Sequence, residues 1–419
     1  MTRILPVLAP ILAGLFTASL LRAQEAAADA LHVFLDCSGF GCDEQFIRSE
    51  IDWVAYVRDR QDADVHLLIT RQQTGGGGWE YTLEFLGQGV LTGQSLDLRY
   101  TSPQTATEDE EREGLVRTMR FGLAAFVAAR NPGAEGLEVR YEPANGAAPR
   151  TTAGIDDPWD FWTFSIRLGG SFDGEARRRS WDIDGSVEAE RVTEQWKFEL
   201  ETQGEQGHGR FEIDSVTTVT SEEHEYGLST LLVRSLGAHW SAGGRAGAES
   251  STRLNQNFSV RLAPAIEYSV FPYQLFNRRQ LTFLYSVGLS HFDYREITLF
   301  GKLSETLPEH SLRGTLELNQ PWGEAEISLT GRQFLHDGER FSLDLFNRLD
   351  VRVLRGLSVS LFGGVSYIRD QLFLPAGDAD PEEILLDLRE LETNYDYFLS
   401  LGFSYTFGSI YNTVVNPRF

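Results

Sequence analysis

The sequence predicts a mainly β protein: about twelve antiparallel strands closing as a transmembrane barrel over residues 158–419, preceded by a small α+β domain at 24–144. Three observations lead there. From Trp159 onward apolar residues alternate with polar or small ones for roughly 9–13 positions at a time and then stop at turn residues, the two-residue period of strands with one lipid face and one polar face. Forty glycines and 27 phenylalanines against two methionines suit a turn-rich β chain with aromatic faces. Beyond the amino terminus no run reaches ~18 uninterrupted apolar residues, which excludes a helical membrane protein. The 37 basic and 61 acidic residues give a net charge of −24, which argues against nucleic acid or anionic lipid as the main partner, so any basic site must be local.

Residues 1–23 read as a secretory signal peptide: Arg3, an apolar run over 4–21, then small residues at 23–30. Cleavage after Ala23 or after one of Ala26 to Ala28 fits equally, and an uncleaved anchor helix is the competing reading. In an exported, oxidising compartment the two cysteines, Cys37 and Cys42, are expected to form a local disulfide. Neither His32 nor His66 has the spacing of a zinc site, so no metal or cofactor is expected.

Within the first domain, 31–35 and 65–70 read as short strands, and Ile47, Ile51, Val54 and Ala55 give 44–57 a helical spacing. Gly75 to Gly78 marks a hairpin between 65–70 and 81–85. It is no phosphate loop, because no Lys and Ser or Thr follow. A strand at 96–100 follows. The segment 107–130, with acids at 108–111 and Leu115, Met119, Phe121, Leu123 and Phe126 inside, predicts a helix, and 137–141 a closing strand. One sheet covered by two helices fits this order. The strand 63–70, the glycine hairpin and the strand 81–85 together resemble the amino-terminal domain of periplasmic TolB-type proteins, which implies contacts with partner proteins and no catalytic residues. Residues 145–157, with Gly146, Pro149 and Gly154, read as a linker.

Twelve strands are predicted to begin near Phe161, Trp181, Trp196, Tyr226, Trp240, Phe258, Leu281, Leu312, Ala325, Phe341, Leu357 and Tyr395. The last is clearest, with Tyr395, Tyr397, Leu399, Leu401, Phe403, Tyr405 and Phe407 on one face. Poor alternation at 226–236 leaves ten or fourteen strands open. Short even-numbered turns such as 237–238, 321–323 and 354–356 contrast with long odd-numbered loops at 293–310 and 370–394, as in outer-membrane barrels with short periplasmic turns. An even strand count leaves both barrel ends on the periplasmic side, with the first domain.

Arg369 to Leu372 and the closing residues from Phe407 to Phe419 make the barrel resemble an uncharacterised outer-membrane family related to the YdiY-like domain of unknown function. That resemblance implies a Gram-negative outer membrane and no agreed reaction. Phe419 resembles the terminal aromatic read by the outer-membrane insertion machinery, although the best strand ends near Gly408 and 409–419 is either an extension or a tail.

Outward apolar residues put Arg167, Arg245, Arg261, Glu267, Arg313, Glu317, Arg332, Asp344, Arg348, Asp350 and Arg352 on the inner face as a lumen charge network. With Asp182, Asp184, Glu188, Glu199, Glu249 and Glu326 they either plug the lumen as a salt-bridged core or line a narrow pore. No catalytic residue is assigned: His291 with Asp293 and His336 with Asp337 lack a nucleophile, and there is no Gly-x-Ser-x-Gly elbow. The acids of 370–394 have helical spacing rather than that of a calcium loop. Arg177, Arg178 and Arg179 in the first external loop are placed to meet lipopolysaccharide phosphates. The expected role is structural or adaptor-like, with a periplasmic protein partner docked on the first domain. A narrow diffusion channel is the alternative, and a surface hydrolase a distant third.

Overall fold

The computed structural model describes residues 30–37, 42–131, 158–212, 218–377 and 391–410. The signal segment, the strand expected at 137–141, the linker, most of the acidic loop and Phe419 lie outside the described residues.

The chain is mainly β, in two sheets. The first is a mixed five-stranded sheet in the order β2-β1-β3-β4-β5, built from β1 (His32–Cys37), β2 (Ala55–Tyr56), β3 (Val65–Gln73), β4 (Trp79–Gly87) and β5 (Ser95–Ser102). The helix expected over 44–57 is shorter: α1 is Glu44–Glu50, and Ala55 and Tyr56 instead pair in parallel with β1. Ile51 and Val54 stay buried either way, so their spacing could not reveal where the helix stops. Cys37 and Cys42 are disulfide-bonded, closing the β1–α1 connection.

Helix α2 (Glu108–Arg130) starts at a capping box of Thr107 and Glu110, with four acids in its first turn favourably placed against the helix dipole. Leu115, Met119, Leu123 and Phe126 enter the core, whereas Phe121, expected among them, is off this stripe and exposed. Gly114 and Gly122 lie on the same face, where a Cβ would overlap the rings of Tyr100 and Phe85, so their lack of side chain lets the helix settle on the sheet. Both helices cover one face of the sheet. The other carries Phe34, Asp36, His66, Leu68, Thr70, Thr82 and Glu84, all buried.

The second sheet has twelve antiparallel strands in chain order: β6 (Trp162–Gly174), β7 (Arg178–Val192), β8 (Trp196–Glu212), β9 (Thr218–Ser235), β10 (Trp240–Ser251), β11 (Gln256–Ser269), β12 (Arg279–Tyr294), β13 (Ser304–Gln320), β14 (Gly323–Phe334), β15 (Phe341–Leu354), β16 (Leu357–Ile368) and β17 (Tyr395–Tyr405). The strand number is the one the alternation predicts. Two starts differ: β9 begins at Thr218 rather than near Tyr226, and β13 at Ser304 rather than near Leu312. Residues 218–225 are polar on both faces, and Pro308 interrupts the strand signal. The long loop expected at 293–310 therefore shrinks to 295–303.

Cross-strand register keeps one phase throughout. Trp181, Ile183, Val187, Leu228, Leu232, Leu262, Val287, Leu289, Leu329, Leu345, Val365 and Leu401 share one face, whose charges, such as Arg191, Arg210, Glu222 and Arg234, lie towards the strand ends; Arg167, Arg245, Arg261, Arg313 and Arg348 are among the charges on the other. Side chains from β8 (Lys197) and β14 (Thr330) line the same cavity, so the sheet is strongly curled towards its polar face. β6 and β17 are its edges, with no ladder between them among the described residues.

Candidate functional site

The helix-free face of the small sheet rests on the turn end of the large one. Its contacts spread along the ladder. At one edge Gly75 lies against Val192, and Thr163 Oγ1 donates to the Gly75 carbonyl at 3.4 Å. In the middle Glu84 pairs with Arg278, and Asn277 reaches Thr82 in the β11–β12 connection. At the other edge Arg355 Nη2 is 2.5 Å from Asp62 Oδ2, and the Gly356 amide donates to Asp59 Oδ2 at 2.9 Å in the β15–β16 turn. Just after β17, Arg58 donates from its backbone N to the Ile410 carbonyl and from Nη1 to that of Ser409, at 3.0 and 2.7 Å.

The centre of this interface is a buried charge cluster. Asp36, at the end of β1 and 4% exposed, accepts two hydrogen bonds from the guanidinium of Arg352, both at 2.6 Å. His66 on the neighbouring strand β3 places Nε2 2.8 Å from Asp36 Oδ2. The Arg352 guanidinium also lies over the Phe34 ring, 5.1 Å from its centroid. Burial alone would raise the Asp36 carboxyl; the hydrogen bonds from His66 and Arg352 outweigh it and hold the group below its ordinary value of 3.8.

Behind the interface, the polar face holds three adjoining cavities. The largest, about 580 Å³, is bordered by Lys197, Arg245, Arg261, Glu267 and Arg313, with Gly243, Gly247, Ala263 and Ala265 leaving space where strands β10 and β11 run. A second, about 260 Å³, shares Gly247 and Arg261 with it and adds Glu201, Glu225 and Glu249. The third, about 390 Å³, shares Glu249 and Arg261 and reaches the far end, where Gln371, Leu372 and Phe373 fold inward. Leu372 packs on Leu307 and Phe334, and Asn255 donates to the Phe373 carbonyl, so this segment covers the far end of the polar face.

All eleven residues of the expected charge network lie on this face, but they do not form one salt-bridged mass. Among the described residues, Arg167 pairs with Glu188 at 3.5 Å and Arg261 with Glu309. Arg313 donates to Thr330 instead of a carboxylate, Arg348 lies over Phe362, Asp344 accepts from Ser366, and Arg352 leaves the network for Asp36. Glu317 stands opposite Glu326, and Glu188 opposite Glu201, so like charges are neighbours. Side chains that repel or bond singly cannot fill the space, which is why cavities remain.

The sequence reading missed Glu309, placed in a loop by the late start expected for β13, and the entire interface. Polar residues at alternate positions of apolar strands (Asp36, His66, Thr82 and Glu84) were the available signal for a second buried face. His291 is on the outward face, its Nδ1 2.8 Å from the Thr306 hydroxyl. No group of three or more His, Cys, Asp or Glu side chains able to hold a metal occurs among the described residues. No family model matches the chain, and no curated protein matches it either.

Proposed function

We propose that the protein is an outer-membrane barrel, formed by β6 pairing with β17, whose periplasmic mouth is covered by its own amino-terminal domain, and that it acts as a gated narrow route for small polar solutes. The carrying observation is the Asp36–Arg352 pair, which ties the cap to the sheet end across the mouth of a cavity-bearing polar face. The interface mixes ion pairs and hydrogen bonds with the apolar Phe34 and Leu68, and a polar interface of this kind is one from which a domain can detach.

The membrane assignment is supported by the outward face. It is free of charge over spans such as 181–189 and 258–268, about the length that crosses a bilayer on a tilted strand. Trp162, Trp196, Trp240 and Tyr268 gather at the cap end, where an aromatic belt is expected. Closure is supported by cost: unpaired backbone along β6 and β17 is prohibitive in hydrocarbon.

The test is planar-bilayer recording of purified wild type and Arg352→Met. Rare openings in wild type and frequent stepwise conductance in the variant are expected, and a silent bilayer for both would overturn the gated route. Disulfide trapping between cysteines at Ser165 and Ser400 or Ser404 tests closure separately, as does heat-modifiable gel mobility. An adaptor role remains a second reading because the helix face, with Phe121 59% exposed, is free for a protein partner. Deleting 31–141 should then abolish a specific crosslink while leaving the barrel inserted.

A further inference from the structure

Beside the central charge cluster, between the cap and the β15–β16 turn, is a cleft of about 140 Å³ bordered by Arg58, Asp59, Arg60, Arg352, Arg355 and Gly356. We propose that it is a binding site for a phosphate group, and that the bound phosphate locks the cap onto the barrel.

The charges are unevenly balanced. Arg352 is taken by Asp36 and Arg355 by Asp62. The Asp59 carboxylate accepts from two backbone amides, those of Gln61 and Gly356, so it neutralises no arginine directly. Arg58 spends one terminal nitrogen on the Ser409 carbonyl, and its Nε is buried with no acceptor among the described residues. Arg60 has no side-chain partner among them. Two guanidiniums without a carboxylate thus share one small cleft in a chain of net charge −24, where carboxylates abound. A buried donor without an acceptor is destabilising, so the orphaned Nε asks for one.

A tetrahedral phosphate offers several acceptor oxygens to forked donors, which suits arginines converging from separate segments. The volume is several times the ~10–15 Å³ that holds one water by the same measure, which is room for a phosphoryl group. Two sources share this chemistry, free phosphate and a phospholipid headgroup. Val353 and Leu354, exposed beside the cleft, favour the headgroup. The ligand would touch Arg58 and Arg60 on the cap and Arg355 on the sheet end, so it would bind only the docked state and stabilise it by mass action. The locking role rests on the cap reading above; the binding does not.

The experiment uses the full-length protein in detergent. Inorganic phosphate is titrated by calorimetry, and phosphatidylglycerol is added in micelles and detected as bound adduct by native mass spectrometry, for wild type, Arg60→Ala and Arg60→Lys. Among the described residues Arg60 makes no side-chain hydrogen bond or ion pair across the interface, so both variants should fold and dock. Wild-type binding, weakened at least tenfold in Arg60→Ala and largely restored in Arg60→Lys, is expected. Binding of the lipid alone assigns a headgroup site, and comparable binding of inorganic phosphate assigns a free-anion site. If neither probe binds wild type more tightly than Arg60→Ala, the site is refuted. If binding is seen but phosphate at ten times its Kd does not slow cap release by about tenfold, read by labelling of the Thr82→Cys variant described below, the lock is refuted and the binding stands.

Discussion

Replacing Arg352 with Met keeps the aliphatic stem beside Phe34 but removes the charge that holds Asp36. Asp36 would then be left 4% exposed, with His66 as its remaining side-chain partner. Removing one member of a buried ion pair costs about 3–5 kcal/mol. The Arg352 side chain is 31% exposed, so water already screens part of the interaction and the lower end applies. A loss of about 3 kcal/mol is more than a hundredfold in the docking equilibrium. The assay is thiol labelling of Thr82→Cys, a position 6% exposed on the docked face, 3.4 Å from Asn277 and reachable only when the cap lifts. In the regime where re-docking outpaces labelling, the rate should rise about a hundredfold in Arg352→Met. Adding Asp36→Asn should recover part of this, because the stranded charge is gone. A change below about threefold, or strict additivity of the two substitutions, would refute the assignment of the pair as the cap's main tie.

Other expectations follow from the same geometry. Because the Asp36 carboxyl sits below its ordinary value of 3.8 when docked, its contribution is complete above that value and is lost as pH falls through the lower one; labelling with an acid-competent disulfide reagent should be flat from neutrality to about pH 4 and rise only below, and a rise beginning near pH 6 would contradict this. Gly122→Ala drives a Cβ into the fully buried Phe85 ring and should destabilise the small domain by about 1–3 kcal/mol, seen as a lower melting temperature of that domain with unchanged heat-modifiable mobility of the large sheet. Leu262→Arg, at the middle of β11 on the outward face, should cost about 2–4 kcal/mol in urea-titrated folding into liposomes if that face meets lipid, and almost nothing if it meets water.

Much of the large sheet was legible in the sequence because a strand's two faces are written into adjacent residues. Tyr395, Tyr397, Leu399 and Leu401 against Asp396 and Ser400 settle a face without reference to any other strand. Where the chain is polar on both faces, as at 218–225, the period carries no signal and the strand start moved by eight positions, from near Tyr226 to Thr218. In α1, Ile51 and Val54 keep their burial whether the backbone is helix or turn, so periodicity overran the helix end.

The amino-acid sequence by itself determined the mainly β class, a strand number of about twelve, and the two faces of the strands that alternate cleanly, since each depends on side-chain alternation within a few residues. It also marked Cys37 and Cys42 as a local clip. Only the tertiary structure decided that Arg352 leaves the other polar-face charges for Asp36, 316 positions away, that Glu84 meets Arg278, and that Arg58 and Arg60 border one cleft with Arg355. The reason is physical: an ion pair needs two groups brought within about 3–4 Å, and how the small sheet sits on the turns of the large one is set by packing between distant segments, of which no local period keeps a record.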